Sequence, residues 1–176
     1  TAVAVLTLRC SRDEREVAAD VSHSLSVLAS LSCTLKAIVL HLSGQRLVAR
    51  CPASMRTATH IAGVGEMLHK MKVPVVCAAS CKLEGLTLAI FAAADFRFLG
   101  RQTALVSSSP MSMHAAPLST STALRTGLAS ELTEAVVNVK AHAVQFAAWL
   151  SRHPVIGIEH MLKLTRRSRV SRPASR

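Results

Sequence analysis

Few side chains in this sequence combine a titratable group with a place where the chain turns. Glu84 stands directly before Gly85 at the head of an apolar run, His60 lies at the start of a helical segment, and His114 sits in a Ser/Met/Pro-rich stretch. A carboxylate or imidazole beside a loop can act as general acid or base, and histidine titrates nearest to working pH. Each also has a plainer reading. An acid before a helix is stabilised by the helix dipole, which suffices for Glu84. His114, between Met113 and Ala115, reads as a solvated loop residue. Ser107, Ser108 and Ser109 offer hydroxyls, but no His/Asp partner can be assigned to activate one as a nucleophile, so the flexible-loop reading stands beside the chemical one.

Metal chemistry finds little support. Cys77 and Cys81 are four apart, but no second Cys/His pair stands at zinc-ligand spacing, and they read as small buried residues. The five cysteines are odd in number and widely spaced, which argues against a secreted disulfide framework and for a reducing, intracellular compartment. The longest apolar run, near residues 85–94, is far below the roughly 20 residues that cross a bilayer. Thr1 to Leu8 lacks a basic leader and a small-residue cleavage site, and reads as a strand.

The net charge of +11 invites a nucleic-acid reading, but six of the 21 basic side chains lie between Lys163 and Arg176, leaving 15 bases against ten acids. A basic tail could attract CoA phosphates or RNA equally, and nucleic acid is not the expected partner.

These residues must be positioned by a regular alternation of elements. Ala2 to Arg9 and Leu35 to Leu42 read as strands, and between them Asp13 to Ser32 carries Val17, Val21, Leu25, Leu28 and Leu31 at helical steps. A polar loop follows, then a helix from about Thr57 to Met71, a strand at Val73 to Ala79, a buried helix at Gly85 to Ala93, and a strand-like segment at Asp95 to Leu99. Ser107 to Thr122 reads as loop, Ser130 to Ser151 as helix, His153-Pro154 as a break, and Ile156 to Arg166 as a last short helix. This alternation predicts an α/β fold with a mainly parallel sheet, and ligands of such sheets sit at loops after strand ends.

The 26 residues from Lys72 to Arg97 resemble the core of the crotonase (enoyl-CoA hydratase/isomerase) superfamily without a gap. Family members read K-x-P-V-(I/V)-A-A-(V/I)-x-G-x-A-x-G-G-G-x-x-(L/I)-A-x-x-(A/C)-D-x-R there, and Asp95-Phe96-Arg97 closes the match. Upstream, Ala2 to Arg9 and Leu35 to Gly44 resemble the opening strands, and Val136 to Arg166 resembles the closing helices. A few tens of residues found in the family are missing between Gly127 and Val136. The resemblance implies a ββα superhelix, with a crotonase-like core over 1–127, a C-terminal helical segment of the oligomerising type over 128–166, and a basic, disordered tail over 167–176.

The resemblance also implies acyl-thioester chemistry in which an enolate oxygen is stabilised by two backbone amides. By the match these belong to Cys51, in Ala49-Arg50-Cys51-Pro52 where the family has A-G-x-D, and to Leu86, in Gly85-Leu86-Thr87 where it has G-G-G. Arg50 and Leu86 therefore replace glycines. The two hydratase glutamates fall on Ala89 and Ser109, neither of which can act as acid or base at neutral pH. Glu84, His60 and His114 are the candidates to replace them, and His60 belongs to a helix that covers the acyl pocket in the family.

The expected activity is thus hydratase/isomerase- or decarboxylase-like, as in polyketide-associated relatives, on acyl-CoA or acyl-carrier protein. No cofactor is expected beyond the CoA or phosphopantetheine of the substrate, and no metal. The family implies a homo-oligomer, a trimer or hexamer. The alternative is a crotonase-fold scaffold without chemistry, which the missing acids and glycines favour.

Overall fold

A parallel sheet covered on both faces needs strands that are apolar on both sides, and two stretches of this sequence meet that demand. In the computed structural model of the chain, which describes residues 2–9, 14–31, 34–44, 55–100, 103–106, 117–133 and 138–170, they form its centre. β2 (Ala37–Ser43) sends Ile38, Leu40 and Leu42 to one face and Ala37 and Val39 to the other, and β3 (Val75–Ala79) is buried at all five positions. They pair in parallel, Ile38 opposite Val75.

β1 (Val3–Arg9) flanks β2 and β4 (Phe96–Gly100) flanks β3, both parallel. The segment after Asp95 is therefore a full strand of the sheet. β7 (Glu131–Thr133) completes the order β1-β2-β3-β4-β7. β5 (Leu105–Val106) and β6 (Pro117–Leu118) make a separate antiparallel pair.

On one face lie α1 (Glu14–Ser30), α2 (Met55–Lys70) and α3 (Gly85–Ala93). Val17, Val21 and Leu25 of α1 point inward at the expected helical spacing. Leu31, expected in the same stripe, lies outside the helix and is 48% exposed. The amides of Thr34 and Leu35 bond its carbonyl and turn the chain toward β2.

On the other face α5 (Val139–Leu150) lays Val139, Ala143, Ala147 and Leu150 over β2, β3 and β4. Phe98 of β4 meets Phe146 edge-on at 5.2 Å. α4 (Thr120–Arg125), capped by Ser119, begins inside the stretch read as loop and runs past its end at Thr122, and α6 (Val155–Val170) runs past the expected end at Arg166, so residues 167–170 are helical. Residues 107–116 and 171–176 lie outside the described residues.

The helix expected from Ser130 begins only at Val139, where Asn138 caps it by accepting from the Lys140 amide at 3.0 Å. Residues 131–133 are the edge strand instead. Ser130 starts it, its amide donating to the Arg97 carbonyl at 2.8 Å and its hydroxyl accepting from the Arg97 amide at 3.0 Å. A three-residue strand is too short to show its own period, so the pairing to β4 decides it.

At the start of the strands, Asp95 is 3% exposed and accepts from the Val75 amide at 3.0 Å. Arg166 of α6 meets it with two bonds of 2.9 Å, and the same guanidinium donates to the carbonyls of His69 and Met71. Removing one partner of a buried pair leaves the other charge uncompensated, which costs about 3–5 kcal/mol. Because Arg166 is partly exposed, Arg166→Ala is expected to destabilise the chain by about 3 kcal/mol in urea unfolding. A loss under about 1 kcal/mol would show that the clamp is ornamental.

Candidate functional site

In a parallel sheet crossed by helices, the helix after each strand starts at the strands' carboxyl end, where its first-turn amides face the loops. α3 follows this rule: β3 ends at Ala79, and after five intervening residues the helix begins at Gly85. Gly85 has φ 51°, a left-handed backbone that favours glycine, so the one glycine kept of the family's three stands where the chain requires it.

Leu86 sits in the first turn of α3 with its side chain 1% exposed in the core beside α1 and α2. Its bulk is thus directed into the apolar cluster, so the side chain in place of glycine is absorbed by packing. The next two amides, Thr87 and Leu88, are spent on the Glu84 carbonyl at 3.1 and 3.5 Å.

Glu84 is the N-cap of α3. Its amide donates to Thr87 Oγ1 at 3.1 Å, and its carboxylate meets Lys82 Nζ at 2.5 Å. As an acid at a helix start it is stabilised by the dipole and by a lysine together. Ala89 lies one turn on from Leu86, half-buried, and presents a methyl where the family has a carboxylate. Cys51, His114 and Ser107 to Ser109 lie outside the described residues, as does the side chain of His60 in α2.

The loop between β3 and α3 is pinned from the segment after β4. Thr103 Oγ1 donates to the Ala79 carbonyl at 2.8 Å, the Leu83 amide donates to the Ala104 carbonyl at 2.8 Å, and the Val106 amide donates to the Leu83 carbonyl at 2.9 Å. A Cβ on Gly100 would come 3.3 Å from the Ala79 carbonyl oxygen, so glycine lets β4 and the end of β3 approach closely. The buried Cys77 and Cys81 pack in the same apolar cluster as Leu86.

Sequence reasoning did not single out His41 and Ser80, which the structure brings together across neighbouring strands. His41 Nε2 lies 3.2 Å from Ser80 Oγ, while His41 Nδ1 is buried without a hydrogen-bond partner among the described residues. Burial, and then the nearby Lys140, lowers the imidazole pKa below its ordinary 6.5. The only signal in the sequence was a histidine among the apolar residues of a buried strand. Asp95 and Arg97, the most specific part of the motif, are structural. Asp95 holds Arg166 at the strand starts, and Arg97 donates to the carbonyls of Ala92 and Gly127 at 3.0 and 2.9 Å.

No family model matches the chain, and no curated protein matches it in sequence. Solved structures do. A monofunctional enoyl-CoA isomerase from M. smegmatis superposes with a TM-score of 0.72 at 17% identity, over 98% of this chain and 91% of its own. Pseudomonas aeruginosa DspI gives 0.77 at 15% identity, over 96% and 84% of the two chains. An enoyl-CoA hydratase from Bacillus anthracis gives 0.74 at 13%, over 96% and 81%. Identities this low speak for the fold alone. Among the described residues no helix is long and apolar enough to cross a membrane.

Folded His41 takes up a proton less readily than His41 in the unfolded chain. Its contribution to stability is therefore whole above pH 6.5 and lost as pH falls from there through the lowered value. Lys140→Met is expected to move the His41 midpoint upward in an NMR titration without restoring 6.5, because burial remains the larger cause. An unmoved midpoint would remove Lys140 from the account.

Proposed function

We propose that this chain, which has the fold of the enoyl-CoA hydratase/isomerase (crotonase) proteins, binds acyl thioesters and stabilises their enolate form. The observation that carries this reading is the N-terminus of α3 at the carboxyl end of the sheet, opened by Gly85 in a left-handed turn. There the Leu86 amide is assigned as one donor to the thioester oxygen, and the Cys51 amide, by resemblance, as the other. Preorganised amides at a helix start favour developing negative charge, and they need no particular side chain.

Hydration by two glutamates is not part of the proposal, because alanine and serine occupy positions 89 and 109. Proton transfer without a water-activating pair suits isomerisation or decarboxylation, and Glu84, His60 and His114 are its candidate groups. Glu84 is the one whose side chain the structure describes, and it is paired with Lys82. The carrier is CoA or an acyl-carrier protein. Self-association, as a trimer or hexamer, is supported by the exposed Val155, Ile156 and Leu164 of α6. The second reading, a scaffold without chemistry, is favoured by the methyl of Ala89.

Calorimetry with crotonyl-CoA, acetyl-CoA and free CoA separates the two readings. Binding of the thioesters about tenfold tighter than free CoA is expected, a difference of about 1.4 kcal/mol. Leu86→Pro removes the amide at a first-turn position that tolerates proline, and it should abolish the preference while circular dichroism reports the helices intact. Equal affinities, or no binding at all, would sink the enzyme reading and leave the scaffold.

A further inference from the structure

The opposite end of the sheet from the candidate site holds a cavity of about 210 Å³, between the starts of β2 and β3 and the turn joining α5 to α6. Leu35, Val73, Pro74, Leu150 and Ile158 supply its apolar lining. At the rim stand Lys36, Lys72, His153 and Glu159. Neither lysine nor Glu159 has an ion-pair partner among the described residues.

Two ammonium groups against one carboxylate leave the rim positive, over a lining that repels water. That combination suits a ligand with an apolar body and one negative end. At about 30 Å³ per water, the volume equals roughly seven waters. A methylene is about as large as a water, so a chain of about four to six carbons fills it.

We propose that this cavity binds a short-chain carboxylate, with Lys36 and Lys72 holding the carboxylate and Val73, Leu150 and Ile158 packing the chain. The site does not depend on the acyl-thioester reading, since it lies at the other end of the strands. It also carries its own reporter. Trp149 is the chain's only tryptophan, and its ring lies 4.3 Å from that of His153, which lines the cavity.

The test is a hexanoate titration followed by Trp149 emission and, in parallel, by calorimetry. Saturable binding is expected, weakened about tenfold or more in the Lys36→Glu/Lys72→Glu double variant, whose changed side chains are exposed, and in Ile158→Phe, which fills the cavity. Hexan-1-ol, equally long but uncharged, is expected to bind about tenfold more weakly. Equal binding of the alcohol would overturn the carboxylate assignment, and so would binding indifferent to the double variant. No saturable heat or emission change would overturn the site. A response that follows protein concentration instead of hexanoate would assign the cavity to contact between copies and also overturn it.

Discussion

The ion pair between Asp95 and Arg166 joins distant parts of this chain at the strand starts. The carboxylate holds the first amide of β3 from the turn before β4, and the guanidinium ties that carboxylate, the end of α2 and the residue after it to α6. Both oxygens of Asp95 and three nitrogens of Arg166 are used. Because the carboxylate is buried, this geometry is the condition on which its charge can be kept there at all. The pair therefore sets where the last helix lies against the strand starts.

With the strand starts so held, the other end of the sheet carries the loops. The chain leaves β3, makes a short loop tied down by Thr103 and Ala104, and enters α3 through a left-handed glycine. Under the proposed function, structure and chemistry separate along the strand direction. The most specific motif residues, Asp95 and Arg97, serve the framework, while the carboxyl end offers backbone groups whose usefulness does not depend on side-chain identity. The fold is shared with solved hydratase and isomerase structures at 13–17% identity.

His41 and Ser80 add a polar contact on the α5 face, with a buried ring nitrogen and a lowered pKa. A buried polar group has to be compensated locally, and among the described residues only one of the two ring nitrogens is met. Lys140, near the start of α5, adds to the preference for the neutral ring.

The sequence by itself determined the layers. The apolar stretches Leu35 to Leu42 and Val73 to Ala79 are legible as strands, and Val17, Val21 and Leu25 as one stripe of a helix, because these signals come from residues near in sequence. The 26-residue resemblance placed Gly85 and Leu86 at a helix start and put Ala89 where it leads one to expect an acid. Tertiary structure alone decided the rest. Asp95 finds Arg166 71 residues away, His41 finds Ser80 39 away, and Arg97 finds Ser130 33 away. Residues 131–133 form a strand because the edge of β4 was open to them, against a local pattern that read as helix. Such contacts arise from the path of the whole chain, and no local period encodes them.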